Sequence, residues 1–278
     1  MTTQNDSLSF SELMGSIISV DNDAINSSES QVRITENWMQ GRTTYGGMST
    51  ALCYQAVVNS FNDLPPLRSA QVNFIGPVGG NVSIKSTVMR RGRSVVYIRA
   101  EMSGEKGLAT HVIFCFGDSR ESRLDRDFTK PPSVPSIEQS SAFFSTGMEP
   151  AFAHNYECLL AQGGYPVSGS KQHEHYIWVR HKDAKANDLS SLIGIADIPP
   201  PAVLPMFDSF APISSMNWMI NLLSNDISTQ DGWYLVRSAA EHAKEGYSSQ
   251  DMQVWNSDGK LLISASQTVV IFYWLRIN

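Results

Sequence analysis

Cysteine is scarce and scattered in this chain. Cys53, Cys115 and Cys158 lie far apart, each in an apolar stretch. That spacing excludes a disulfide framework and fits a reducing compartment. Positive charge is not in excess either: the net charge is −6, which argues against a nucleic-acid footprint. Met1 to Ser11 has neither a basic region nor an apolar core, so no signal peptide is expected and a cytoplasmic location is. No apolar run is long and clean enough for a membrane helix. The best candidate, residues 46–61, is broken by Gly46, Gly47, Ser49, Thr50, Gln55 and Asn59. There is no Walker or dinucleotide loop and no Gly-x-Ser-x-Gly elbow. His173-Glu174-His175 sets two imidazoles on one strand face without a clear third ligand, and reads as surface polar residues rather than a metal site. No cofactor and no metal are expected.

What is present is a chain of 278 residues, 42% hydrophobic and 17% charged, enough for one large domain or two ordinary ones. Its organising stretch is Gly46 to Phe61. Ala51, Leu52, Cys53, Ala56, Val57, Val58 and Phe61 put apolar surface around most of a helix, and such a helix is buried. Before it, residues 1–15 read as a loose arm or short helix, and Ile17 to Ile34 as one or two strands. After it, runs 69–75, 82–90, 95–102 and 108–116 alternate as strands with short turns between them, which makes an antiparallel meander. Asp118 to Ser141 is charged and then Pro-rich, a connecting composition, with Phe143-Phe144 packing its end down.

The plan then repeats. Residues 153–160 and 172–182 read as strands and 188–197 as a helix stopped by Pro199-Pro200-Pro201. Runs 215–223, 234–241, 248–255 and 261–272 form a second meander, closed by the turn Asn256-Ser257-Asp258-Gly259. Arg68 to Phe74 aligns with Ser214 to Ile220, and Arg91-Gly92-Arg93-Ser94 with Glu245-Gly246-Tyr247-Ser248. A repeat this long is a duplicated domain. The expected division is 1–117, a connection at 118–141, and 142–278, with the sheets of the two halves meeting edge to edge.

Several motifs occur in the order of one known family. Trp38-x-Gln40-Gly41-Arg42-x-x-Tyr45-Gly46-Gly47 opens the first helix, and Arg91-Gly92-Arg93-Ser94 follows on a strand turn. Leu192 to Asp197 precedes Pro201-Ala202-Val203-Leu204, and Asp258-Gly259-Lys260-Leu261 precedes Ala265-Ser266-Gln267. Over residues 30–272 this set resembles the acyl-CoA thioesterase II family. The resemblance implies an α+β double hotdog fold, two antiparallel sheets each wrapped around a central helix. It also implies hydrolysis of acyl-CoA by a water that an Asp, a Thr and a Gln position. By motif these fall on Asp197, Ser215 and Gln267, with Ser215 keeping the hydroxyl and losing the methyl. The expected partners are the acyl-CoA substrate and further copies of the chain, as a homo-oligomer.

The residue chemistry fits that implication. Thioester hydrolysis needs a water, a group that takes its proton, and donors for the oxyanion. Asp197 ends an apolar helix, and Tyr45 with the unpaired amides at Gly46 and Gly47 makes the candidate oxyanion and substrate-binding group. Arg91 and Arg93 are candidates for the phosphates of coenzyme A, or equally a solvated hairpin tip. From the residues alone, Asp197 reads first as a helix-end carboxylate in a local turn bond, and Gly46-Gly47 first as a turn that starts a buried helix. Two rivals share the fold: a non-catalytic acyl-CoA binder, and a hydratase or dehydratase. Against the latter, none of the six His has an Asp five positions before it.

Overall fold

The computed structural model describes residues 7–24, 26–144, 147 and 149–273. The first six residues of the expected N-terminal arm lie outside the described residues; the rest of it forms α1 (Phe10–Gly15), closed by a capping box between Ser9 and Glu12. β1 (Ile18–Ala24) and β2 (Ser27–Ile34) follow, then the two-residue strands β3 (Met39–Gln40) and β4 (Thr43–Thr44). α2 (Gly46–Ser60) is the predicted central helix. β5 (Leu67–Phe74), β6 (Gly80–Arg91), β7 (Val95–Gly104) and β8 (Gly107–Gly117) make the first meander. After the connection come β9 (Ser141–Ala142), β10 (Tyr156–Gly163), β11 (Glu174–His181) and α3 (Leu189–Ala196). β12 (Ile213–Leu222), β13 (Tyr234–Lys244), β14 (Tyr247–Asn256) and β15 (Leu261–Ile271) make the second meander.

The expectation of two sheets is corrected to one, because the edge-to-edge meeting expected between the halves makes them continuous. Apart from β3 and β4, the strands form one sheet of 13, in the order β1-β2-β6-β7-β8-β5-β12-β15-β14-β13-β11-β10-β9. β5 and β12, the segments that align as a repeat, pair antiparallel from Ser69 with Asn221 to Asn73 with Asn217. An antiparallel match between two copies of one strand satisfies both edges at once, so neither half keeps a free edge there. Alternation holds across this seam: Ala70, Val72, Trp218 and Ile220 are buried, whereas Gln71, Asn73 and Asn217 are exposed.

α2 packs on β6, β7 and β8, α3 packs on β11, β13 and β14, and the two helices pack on each other. Both therefore lie on one face of the sheet. They run antiparallel: Gln55 of α2 accepts a bond from the Ser190 hydroxyl at 2.6 Å, near the start of α3, while the start of α2 meets the end of α3. Met48, Ala51, Leu52, Cys53, Ala56 and Val57 are fully buried. Each large apolar side chain so buried contributes roughly 1.5–3 kcal/mol.

Residues 118–136 contain no helix or strand and are mostly exposed. They are not without anchorage. Val134 and Ile137 pack over Trp178, Trp233 and Trp255, and the Trp178 indole donates to Pro135 O at 3.1 Å. Two local expectations change. Residues 151–155 are a 3-10 turn rather than the start of a strand. His175, expected at the surface, is fully buried, and burial pushes its pKa down to about 4.

Candidate active site

Tyr45 precedes α2 but makes no side-chain cap. The first amides of the helix therefore need other partners. The Gly47 N–H finds the carboxylate of Asp197, which caps the C-terminal end of α3. This meeting depends on absent side chains. A Cβ on Gly47 would lie 2.8 Å from Gly194 O and 3.0 Å from Asp197 Cβ. A Cβ on Gly46 would lie 2.6 Å from Phe74 Cζ and 2.7 Å from Asp197 Oδ2. The two glycines, read in sequence as amide donors at a helix start, first make room for α3 and its terminal aspartate.

Gln267 reaches the same carboxylate from the sheet. It is on β15, directly opposite Trp218 on β12, and points to the face that α2 and α3 cover. Its Nε2 donates to Asp197 Oδ1 at 2.9 Å. Its Oε1 accepts from Gln250 Nε2 at 2.9 Å, and Gln250 Oε1 accepts from the Ala202 N–H at 2.8 Å. Gln250 and the Ala202 amide were not singled out from the sequence. The available signal was a glutamine at an inward position of the alternating run Ser248-x-Gln250-x-Met252-x-Val254.

Asp197 is half-buried. Burial pushes its pKa up, against the hydrogen bonds from Gln267 and Gly47, from 3.8 to about 7. The sign for stability follows. Folding raises this pKa, so the folded state binds the proton more tightly, and the group's contribution is full below about pH 4 and lost as pH rises through about 7. Asp197→Asn cannot titrate. The difference in Tm, wild type minus Asp197→Asn, is expected to fall between about pH 4 and about pH 8. A difference that stays flat in thermal melts across that range would mean that the carboxyl is not shifted.

The remaining expected site residues are placed as follows. Ser215 is on β12 opposite Val269, two residues from Gln267 along β15, and on the same face. A bulge at Met216 separates it from Asn217. It makes no hydrogen bond with Asp197 or Gln267 among the described residues. Tyr45 is buried, with its ring stacked on Phe152 at 4.3 Å and its hydroxyl bonded to Tyr156 OH and, at 3.5 Å, to Gly194 O. Burial holds both phenols well above the ordinary value. Its side chain thus braces the helix crossing. Arg91 and Arg93 are exposed on the β6–β7 hairpin. That hairpin lies at the Leu67 end of β5, because Val95 pairs with Gly117 and Leu67 with Phe116. Asp197 is beside Gly46 and Phe74, at the other end of β5. The separation along β5 is roughly 23 Å at the rise of an extended strand. A concavity of about 920 Å³ lined by Leu8, Ile18, Val32, Asn81 and Glu105 lies along β2 and β6, and Asp197 does not line it.

This geometry was compared with known proteins. A family model described as the acyl-CoA thioesterase N-terminal domain matches residues 34–117, and one described as the acyl-CoA thioesterase C-terminal domain matches residues 129–271. Comparison with curated protein sequences yields no match. Among solved structures, a conserved protein of unknown function with a hot dog fold from Alicyclobacillus acidocaldarius is similar with a TM-score of 0.81 at 20% identity. The similarity covers 92% of this chain and 96% of that one. The acyl-CoA thioesterase II TesB2 from Mycobacterium marinum is similar with a TM-score of 0.74 at 13% identity, over 95% of this chain and 98% of that one. At such identities these structures establish the hotdog fold. With both halves matched in order by the paired domain models, the chain belongs to the acyl-CoA thioesterase family.

Proposed function

We propose that this protein hydrolyses fatty acyl-CoA thioesters to free acid and coenzyme A, using a water activated at Asp197. The observation that carries the reading is one carboxylate held between the start of α2 and the Gln267 amide, with its pKa moved to about 7. A base near neutrality both takes and returns a proton at working pH. In the reaction the water oxygen bonds to the thioester carbon while its proton passes to Asp197. The carbonyl oxygen gains the negative charge, and the Gly46 N–H, at the positive end of α2, is the donor we assign to it. Collapse breaks the C–S bond, and the departing thiolate takes the proton from Asp197. Ser215, on the strand beside Gln267, is assigned a second bond to the water. Support comes from family membership and from the placement of Asp197, Gln267 and the α2 start in one cluster. We further propose the division 1–117 and 142–278 as two hotdog halves, a homo-oligomeric state, and Arg91 and Arg93 as distant contacts for the nucleotide phosphates.

The test is steady-state hydrolysis across a chain-length panel of acyl-CoAs, with binding measured on the same panel. Turnover by the wild type is expected; binding without turnover would replace the reading with a non-catalytic acyl-CoA binder. On the best substrate, Ser215→Ala is expected to lose less than Asp197→Asn, because Asp197 and Gln267 still hold the water. Ser215→Thr is expected to be tolerated. A Ser215→Ala loss equal to that of Asp197→Asn would make the hydroxyl a principal group rather than an auxiliary one.

A further inference from the structure

The amides of Gln267 and Gln250 raise a question of direction. A primary amide has a donor end and an acceptor end of nearly the same shape, and its neighbours decide which end faces which partner. Here the deciding neighbour is backbone. Pro199, Pro200 and Pro201 have no N–H. The Ala202 N–H is therefore the first backbone donor after Ile198, and it points at Gln250 Oε1 from 2.8 Å. A backbone N–H can only donate, so the oxygen end of Gln250 is fixed. Its Nε2 must then face Gln267, whose Oε1 accepts at 2.9 Å. That leaves Nε2 of Gln267 for Asp197 Oδ1 at 2.9 Å. Gln250 is 0% exposed and Gln267 4%, so water does not compete for either amide.

The fold itself does not require these amides. One row of residues crosses the helix-covered face through paired strands: Gln250, Gln267, Trp218, Val72, Val112 and Ala100. In the N-terminal half the same row is filled by Val112 and Ala100 without a polar atom. Two buried glutamines in the C-terminal half replace apolar packing and must be hydrogen-bonded in full to be tolerated.

We propose that Gln250 is a positioning residue for hydrolysis: with the Ala202 amide it holds Gln267 as a donor toward Asp197. This rests on the reading of Asp197 as the base. In that arrangement Gln267 turns its donor end to the carboxylate, and Asp197 is the acceptor of the pair. Without Gln250, the Gln267 amide is free to turn and set its oxygen against the carboxylate, removing a donor and opposing ionisation.

The experiment compares wild type, Gln250→Met and Gln250→Glu by acyl-CoA hydrolysis over pH and by ¹³C-carboxyl NMR titration of Asp197, assigned with Asp197→Asn. Gln250→Met is expected to lower kcat about tenfold, the size of one lost hydrogen bond, with KM near wild type. The acidic limb of kcat and the Asp197 titration should both move to higher pH. Gln250→Glu is the second arm. Its neutral carboxyl can accept from Ala202 and donate to Gln267, and its ionised form cannot donate. Its activity should therefore be near wild type at low pH and fall on an alkaline limb that Gln250→Met lacks. If both variants keep the wild-type kcat and Asp197 titration, or lose only Tm, Gln250 is a packing residue and the proposal is overturned. If the wild type itself turns over no acyl-CoA, the hydrolytic reading falls, and the Asp197 titration in the variants alone decides whether Gln250 orients the pair.

Discussion

Asp197→Asn is expected to keep the fold and to lose acyl-CoA hydrolysis by on the order of 10²–10⁴-fold, about 2.7–5.5 kcal/mol of barrier. The substitution is nearly isosteric. The amide oxygen can still accept from Gln267 Nε2, which the carboxylate oxygen now does at 2.9 Å. What disappears is basicity. Among the described residues, Asp197 carries the one carboxylate hydrogen-bonded to Gln267. Steady-state turnover of a medium-chain acyl-CoA, with thermal melts alongside, measures this. Wild-type turnover by Asp197→Asn would end the assigned mechanism. The magnitude also separates roles: a residue that only orients a partner costs about tenfold, as expected for Gln250, whereas the base costs far more.

Gly47→Ala is expected to destabilise the protein by forcing apart the crossing of α2 and α3. On an exposed helix this change would stabilise by roughly 1 kcal/mol. Here the new Cβ would sit 2.8 Å from Gly194 O, a backbone atom that cannot swing aside, and 2.6 Å from the Tyr45 ring. Relief requires α2 and α3 to separate. Overpacking of this kind costs about 1–3 kcal/mol, or roughly 2–12 °C in Tm for a chain of this size. Separation would also pull the Gly47 N–H away from Asp197, so activity should fall with stability. Thermal melts and turnover of the same sample test this. An unchanged Tm would show that the helix crossing has slack.

The sequence legibility of the fold follows from where local forces dominate. The α2 boundaries were readable because glycine opens the helix and a dense apolar surface fills it. Both meanders were readable because period-two alternation between short turns leaves hairpins as the answer. Other features depend on register. The shift at Met216 governs where Ser215 sits relative to Gln267, and a one-residue slip reverses the face of a strand residue. His175 in a polar-looking tripeptide gave no sign of burial, since alternation alone does not say which face of a strand is covered.

The site divides in the same way. Asp197 and Gln267 were reached through ordered motifs, and each alone reads as an ordinary polar residue. Their contact spans 70 positions of chain. By itself the sequence determined the two meanders, the buried helix with its double-glycine start, and the family. Each of these is written in local periodicity or in motif order. Only the tertiary structure decided which strands join the two half-sheets, β5 and β12, and in what register, and that Gly47 serves the approach of α3. It likewise decided the direction of the amides, which runs from the Ala202 N–H through Gln250 and Gln267 to Asp197. These are matters of which distant surfaces meet and which donor cannot turn, and neither periodicity nor spacing carries that information.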